Sequence, residues 1–185
     1  MPRITAGVAK NTSLEVAKDI TRPITDRIKI SLFDQLSPVI DSAKCLDLFA
    51  GSGSLGLEAI SRGASRVVFV EQDSDACEII IRNSKKAKLD QQIEIVNLPV
   101  EDYLRFPTTV KHDLIFIDPP FPMIKEDKED ILRNTSRFTV KGGYIVFRYP
   151  KLESFPETLK TPFGLLFKVL EKKYGISKVS FYQNQ

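Results

Sequence analysis

The chain has 185 residues, of which 42% are hydrophobic and 28% charged, with a formal net charge of +3, as expected for one soluble globular domain. No apolar run approaches the roughly 20 residues of a membrane-spanning helix, and the N-terminus lacks the apolar core of a secretory signal, so we expect a cytoplasmic protein. Two isolated cysteines, Cys45 and Cys77, and one histidine, His112, cannot complete a tetrahedral zinc shell, so we predict no metal site.

An N-terminal arm, residues 1–24, comes first, and its apolar pattern is broken. We assign residues 25–185 to a single domain. A first helix is predicted from Thr25, whose side chain can cap it, to the residues before Pro38, because apolar side chains between them recur at helical spacing.

Strand-like and helical segments then alternate along the chain. The predicted strands are the apolar runs 45–49, 66–71, 93–96, 113–117 and 144–149. The predicted helices follow the glycine-rich loop as far as residue 62 and then span 74–88, 101–105 and 125–138. Two further runs, 165–172 and 178–182, predict a terminal antiparallel pair. The cysteines are expected in the core, and the histidine in a loop before the fourth strand.

Repeated strand–helix units with continuously apolar strands predict an α/β fold. We expect a mostly parallel, seven-stranded sheet with helices on both faces and a C-terminal antiparallel hairpin. In such a sheet ligands bind outside the carboxyl ends of the strands. The glycine loop, Glu71 and Asp118 all follow strand ends, so we expect them to converge at one edge.

The segment GSGSLG at 51–56 matches the G-x-G-x-x-G pattern, and Glu71 follows Gly51 by 20 residues. Glycines allow a sharp turn and close approach of a ligand, while a carboxylate at the end of the next strand accepts hydrogen bonds from ribose hydroxyls. This order predicts an adenosine-type cofactor. The loop fits a nicotinamide dinucleotide as well as S-adenosylmethionine.

The fourth strand ends in Asp118-Pro119-Pro120-Phe121. The two prolines fix the loop backbone and remove two N–H donors, so the loop offers acceptors and a flat ring. This set suits a planar base with an exocyclic NH₂. Hydrogen bonds would hold that nitrogen, free its lone pair and place it for in-line attack on a methyl group carried by a sulfonium. A dehydrogenase offers no evident use for this arrangement.

The segments LDLFAGSGSLGLEAISRGA, FVEQD and DLIFIDPPF resemble motifs of class I S-adenosylmethionine-dependent methyltransferases of exocyclic amines. RPITDRIKISLFDQL at 22–36 and KKYGISKVSFY at 172–182 are similar to the N-terminal signature and closing hairpin of the bacterial 16S ribosomal RNA guanine-N2 methyltransferase family. The resemblance covers nearly the whole chain, and it implies a Rossmann-like class I methyltransferase fold. Several amino-methylating families share DPPF, so its combination with RPITDR and LDLFAGSG is more specific for this family than DPPF alone.

The resemblance also implies which residues contact S-adenosylmethionine: Asp47, Ala50, Gly51, Gly53, Glu71, Val100 and Arg27. Asp47 would orient the loop, and Glu71 would hold the ribose. Arg27 would pair with the methionine carboxylate or, equally, with an RNA phosphate. The adenine amine would be read at Val100 or Glu101, and the sequence leaves that choice open.

The implied target-amine site is Asp118, Pro119, Pro120 and Phe121, and the implied reaction is methylation of N2 of one guanine in 16S ribosomal RNA. Basic ends on an acidic body favour docking of a polyanion, although solvated termini would give the same charge pattern. The candidate RNA-binding residues are Arg3, Lys10, Arg22, Lys172 and Lys173. The family usually has a basic stretch of the KGRKL kind where this arm has KNTSL. We expect a monomer that acts on RNA, either free or within a small-subunit assembly particle with ribosomal proteins.

Three alternatives stay open. A methyltransferase of adenine N6 or of a protein glutamine could use the same acceptor loop. A nicotinamide oxidoreductase would account for the first half of the chain only. A ribosome-assembly factor could bind RNA without catalysing any reaction.

Overall fold

The computed structural model describes residues 2–16 and 24–185, which are organised around one eight-stranded sheet. The strands are β1 Lys44–Leu48, β2 Arg66–Glu71, β3 Ile93–Asn97, β4 His112–Ile117, β5 Thr139–Pro150, β6 Thr158–Thr161, β7 Gly164–Tyr174 and β8 Ser177–Asn184. Their order is β3-β2-β1-β4-β5-β8-β7-β6. The strands from β3 to β5 run parallel, whereas β8, β7 and β6 each run antiparallel to the neighbour before them.

Helices cover both faces of this sheet. They are α1 Asp26–Leu36, α2 Ser54–Ser61, α3 Ser74–Ala87, α4 Val100–Tyr103 and α5 Lys125–Thr135. One apolar cluster joins α1, α2 and α3 to one face, and a second joins α4 and α5 to the other. Because successive side chains of a strand point to opposite faces, neighbouring residues such as Phe116 and Ile117 of β4 enter different clusters.

The described part of the arm, residues 2–16, packs against the outer side of α2 and α3. Ile4 and Leu14 are buried in the first cluster, and Arg3 and Ser13 form an isolated antiparallel bridge. Gly7 turns the arm with a φ of +82°, and a Cβ there would lie 1.7 Å from the Ser61 carbonyl oxygen. The predicted arm boundary at residue 24 adjoins residues 17–23, outside the described part, so the division into arm and domain stays a prediction.

The predicted architecture is confirmed, with one correction in strand number. The sheet has eight strands rather than seven, because Thr158–Thr161 adds an edge strand to β7. Four residues with alternating exposure are too short a run to stand out in the sequence. The remaining shifts are at element ends: β5 begins at Thr139, and the short helix α4 begins at Val100.

The prediction that His112 lies in a loop is wrong. It begins β4, is buried and lies 3.3 Å through Nδ1 from the Phe138 carbonyl oxygen, and burial lowers its pKa. Cys45 and Cys77 are buried as expected. Within residues 2–16 and 24–185, no helix has the length and apolar character needed to cross a bilayer.

Candidate active site

The carboxyl ends of β1, β2 and β4 open into one cleft of about 1140 Å³. The opposite wall is formed by the start of α1 and by the turn between β7 and β8. Most of the residues predicted to bind cofactor or target amine line this cleft: Arg27, Asp47, Ala50, Gly51, Glu71, Val100, Asp118, Pro119, Pro120 and Phe121. The expected convergence at one sheet edge is therefore observed.

Gly53 is the predicted contact that does not line the cleft. It is the N-cap of α2 with a φ of +76°, and a Cβ there would lie 3.3 Å from the Ile80 side chain. Gly51, which has a φ of +54°, lines the cleft. Gly56 is needed for packing, because a Cβ there would approach a Phe69 ring carbon to 2.3 Å. The three glycines thus differ in role: ligand approach, turn geometry and helix–sheet contact.

Asp47 lies near the end of β1 and is almost fully buried. Its Oδ2 accepts a hydrogen bond of 2.9 Å from the Gly56 N–H in the first turn of α2. Burial raises the Asp47 pKa well above its usual range, and this hydrogen bond opposes that rise, while the nearby Asp118 and Glu71 carboxylates add to it. Asp47 therefore ties the loop to the strand while presenting a carboxyl group to the cleft.

Glu71 ends β2 and holds the glycine loop from the other side. Its Oε2 accepts from the Gly51 N–H at 2.8 Å, and its Oε1 accepts from the Asp73 N–H at 3.0 Å. A carboxylate oxygen has two lone pairs, so each oxygen can accept a further hydrogen bond. Glu71 can therefore position the loop and still accept from hydroxyl groups of a ligand.

Asp118 follows β4, and its carboxylate is paired with Arg148 of β5. The Arg148 Nη1 lies 2.8 Å from Oδ1 and 2.7 Å from Oδ2 of Asp118. The parallel register pairs Phe116 with Val146, so residues two positions further along each strand meet on the same face. Burial raises the Asp118 pKa, and the neighbouring guanidinium opposes the rise. The guanidinium carbon also lies 5.0 Å from the centroid of the Phe121 ring.

The start of α1 forms part of the opposite wall of the cleft. The Ile28 N–H donates to the Thr25 hydroxyl at 3.4 Å, so Thr25 caps the helix as predicted. Arg27 is exposed at the cleft wall. Of the two candidates for reading an adenine amine, Val100 lines the cleft, whereas Glu101 is exposed and does not.

The candidate RNA-binding residues are spread over two surfaces. Arg3 and Lys10 are exposed on the arm, and Arg3 pairs with Asp26 of α1 through Nε at 2.9 Å. Lys172 and Lys173 lie on β7, and Lys173 lines the cleft. Arg22 lies outside the described residues, so the structure says nothing of its position.

Two groups of charged residues, one in the cleft and one between α1, α2 and the arm, were not predicted from the sequence. Arg148 was missed, although a single charged residue within the apolar strand YIVFRY was a signal. The second is a buried ion cluster in which Glu58 of α2 contacts Lys29 of α1 and Arg62, at 3.5 Å and 2.8 Å. Glu58 also accepts from the Thr5 N–H at 2.7 Å and so joins the arm to both helices.

The sheet order, the helices on both faces and the glycine loop at the carboxyl ends define the Rossmann-like fold of class I methyltransferases. The chain belongs to the family described as Conserved hypothetical protein 95, which matches residues 2–183.

Individual relatives agree with this assignment. The chain is 42% identical over 185 residues to the ribosomal RNA small subunit methyltransferase D of Haemophilus influenzae, covering 98% of this chain and 93% of that protein. It is similar to the solved structure of Escherichia coli yhhF, provisionally described as a methyltransferase, with a TM-score of 0.85, 31% identity and coverage of 99% and 97%. A more distant structure, SMU.776 complexed with SAH, shares the fold at a TM-score of 0.69, 15% identity and coverage of 83% and 48%.

Proposed function

We propose that this protein transfers the methyl group of S-adenosylmethionine to the exocyclic N2 of a guanine in 16S ribosomal RNA. The observation that carries the proposal is the single cleft that joins Gly51 and Glu71 to the Asp118–Phe121 loop. The family relative from Haemophilus influenzae is named for methylation of small-subunit ribosomal RNA, which supports the same substrate.

The residues present fit S-adenosylmethionine. Glu71 has lone pairs for ribose hydroxyls, and Gly51 lets a ligand approach the backbone. Val100 and Ala76 add apolar side chains to the wall of the cleft. Carboxyl groups at Asp47 and Asp118 suit a ligand that carries positive charge.

When bound, the cofactor supplies a methyl group on a positively charged sulfur. Asp118 accepts hydrogen bonds from the guanine amine, which holds N2 in position and favours a nitrogen with an available lone pair. Phe121 offers its ring face to the base, and Pro119 and Pro120 keep that loop rigid. Asp118 or water takes the proton that N2 loses after transfer. The substrate base must come from a loop or be flipped out of a stack to reach this site.

The RNA-binding surface is proposed on basic residues of both ends of the chain, of which Lys173 lines the cleft. Arg3, Lys10 and Lys172 would add phosphate contacts further away, and such contacts weaken with rising salt. The proposed partner is 16S ribosomal RNA, free or within an assembly particle with ribosomal proteins. We propose that the protein acts as a monomer in the cytoplasm, where that RNA is assembled.

The test is methyl transfer from labelled S-adenosylmethionine to small-subunit RNA and particles from cells that lack this protein. The RNA is digested, and the modified nucleoside is identified by mass. We expect N2-methylguanosine from the native chain and a loss of roughly 100-fold or more in turnover for Asp118→Ala, with cofactor binding retained. Asp102→Ala is the matched control, because Asp102 pairs with Arg105 on the surface of α4.

The product decides between the alternatives. Methylated adenine or methylated protein glutamine in place of N2-methylguanosine would contradict the proposed substrate. Cofactor binding without transfer to any RNA or particle would favour a non-catalytic assembly factor. Near-normal turnover by Asp118→Ala would remove Asp118 from the mechanism even if the product were correct.

A further inference from the structure

The Arg148 guanidinium contacts both groups that the proposed function gives to the target base. Its Nη1 donates to both Asp118 oxygens, at 2.8 Å and 2.7 Å, and its carbon lies 5.0 Å from the centroid of the Phe121 ring. A target guanine would use the same two contacts, through its N2 amine and its flat face. The Arg148 and Asp118 side chains are only 12% and 19% exposed, so this pairing is made largely out of solvent.

The chemical likeness extends beyond position. The N1–C2–N2 edge of guanine is a planar set of nitrogens around one carbon, with N–H groups at N1 and N2. The arginine head group is a planar set of nitrogens around one carbon with N–H donors in the same plane. A carboxylate beside an aromatic ring can therefore accept in-plane N–H groups from either one.

The hydrogen bonds of the Arg148 guanidinium are also incomplete. A single nitrogen serves both Asp118 oxygens, whereas an arginine bound for stability usually presents two nitrogens to a carboxylate. The Arg148 Nε is buried and has no hydrogen-bond partner among the described residues. An unsatisfied buried donor weakens the pairing, which makes displacement easier.

We propose that Arg148 is a specificity-determining residue that occupies the target-amine site and is displaced when the guanine enters. This inference rests on the proposed function, because it identifies the Asp118–Phe121 site as the place of the target base. Arg148 then competes with the target base for Asp118 and the Phe121 ring. A base without an exocyclic amine, such as uracil, would replace fewer of these contacts and gain too little to displace Arg148, whereas guanine replaces both.

The consequence is a measurable penalty on substrate binding. If Arg148 fills the site about nine-tenths of the time, the apparent substrate affinity is reduced about tenfold, since only the open fraction can bind. Arg148→Ala is expected to lower KM for RNA about tenfold with kcat changed by less than about twofold. Arg148→Met, which keeps most of the side-chain volume, is expected to lower KM in the same direction. Both variants are assayed at several pH values up to the alkaline range, because loss of the guanidinium raises the Asp118 pKa further and a protonated Asp118 would accept fewer hydrogen bonds.

Added methylguanidine is the decisive probe, used at equal ionic strength against methylamine as a control. In Arg148→Ala it is expected to compete with RNA and return KM to the native value. Direct titration should show saturable binding of methylguanidine to Arg148→Ala, and none to the double variant that also carries Asp118→Ala. This binding measurement does not depend on knowing the RNA substrate.

The outcomes separate the inference from the function on which it rests. Loss of kcat in Arg148→Ala that methylguanidine restores would overturn the inference, because Arg148 would then be needed in place during transfer. An unchanged KM in both variants, or no methylguanidine binding, would overturn it too. The native chain could transfer no methyl group to guanine while methylguanidine still binds Arg148→Ala. The proposed function would then be wrong, whereas the guanidinium-binding site at Asp118 and Phe121 would still be supported.

Discussion

Glu58→Gln tests whether the buried ion cluster holds the arm and α1 on the body of the protein. Glu58 and Lys29 are fully buried, and their charged groups lie 3.5 Å apart. The two Glu58 oxygens also accept from the Thr5 N–H and hydroxyl and from the Ala6 N–H, at 2.7, 2.6 and 3.1 Å. The substitution keeps the shape but replaces one acceptor oxygen by a donor and removes the charge opposite Lys29.

The expected loss is large because the remaining lysine has no access to water. Removing one partner of a buried ion pair destabilises a protein by about 3–5 kcal/mol. For a chain of this size, each kcal/mol lowers the melting temperature by roughly 2–4 °C, so we expect a fall of about 6–20 °C. Glu94→Gln is the matched control, since Glu94 pairs with Arg66 at 2.7 Å on the surface, and we expect less than about 1 kcal/mol.

Urea unfolding at several pH values measures both effects. Burial lowers the Lys29 pKa and Glu58 opposes this, so in Glu58→Gln the folded-state pKa falls further. A lysine whose folded pKa is lowered costs stability as pH falls from its ordinary pKa of 10.5 towards the lowered value, so the deficit of the variant should shrink as pH rises through this window. Adding Lys29→Met should recover part of the loss, because no unpaired charge is then buried. A deficit equal to that of Glu94→Gln would refute the reasoning.

Three further predictions concern the glycine loop and the cleft beside it. Gly56→Ala should lower the free energy of unfolding by roughly 1–3 kcal/mol, because its Cβ would lie 2.3 Å from a Phe69 ring carbon; unchanged urea unfolding would contradict this. Glu71→Ala should weaken S-adenosylmethionine binding about tenfold or more in calorimetry, through two lost ribose hydrogen bonds; unchanged affinity would exclude that contact. Burial raises the Asp118 pKa above its ordinary 3.8, so transfer should fall as pH drops through the raised value, and Arg148→Met should move this fall to higher pH; identical pH profiles would contradict it.

The predictable parts of the site are those formed by residues that are close together in the sequence. The glycine loop, Glu71 and the Asp118–Phe121 loop each follow a recognisable strand, and parallel strands bring their carboxyl ends to one edge. The same local patterns predicted the five parallel strands and the terminal hairpin. Gly53 satisfied the motif yet does not reach the cleft, because a glycine pattern does not distinguish ligand approach from turn geometry.

The parts that were not predictable depend on which strands and helices become neighbours. Arg148 meets Asp118 only because β4 and β5 pair in one particular register, 30 residues apart in sequence. Glu58 and Lys29 meet only when α1 lies against α2. His112 is expected in a loop because it precedes the apolar run of the fourth strand, yet β4 begins one residue earlier, at His112, and that residue is buried.

The charges of the cleft favour a division of labour between the base and the phosphates of an RNA substrate. Asp47, Glu71 and Asp118 line the same cleft, and the repulsion among them contributes to the raised Asp47 pKa. These carboxylates favour a cationic sulfonium, while Arg27, Arg148 and Lys173 line the same cleft and offset much of their charge. Net positive charge is concentrated in residues 1–30 and 160–185 instead. We infer that basic residues of these ends, among them Arg27 and Lys173 at the cleft wall, hold the backbone of the RNA while an uncharged base enters. Arg148 then reduces the repulsion at Asp118 until the base replaces it.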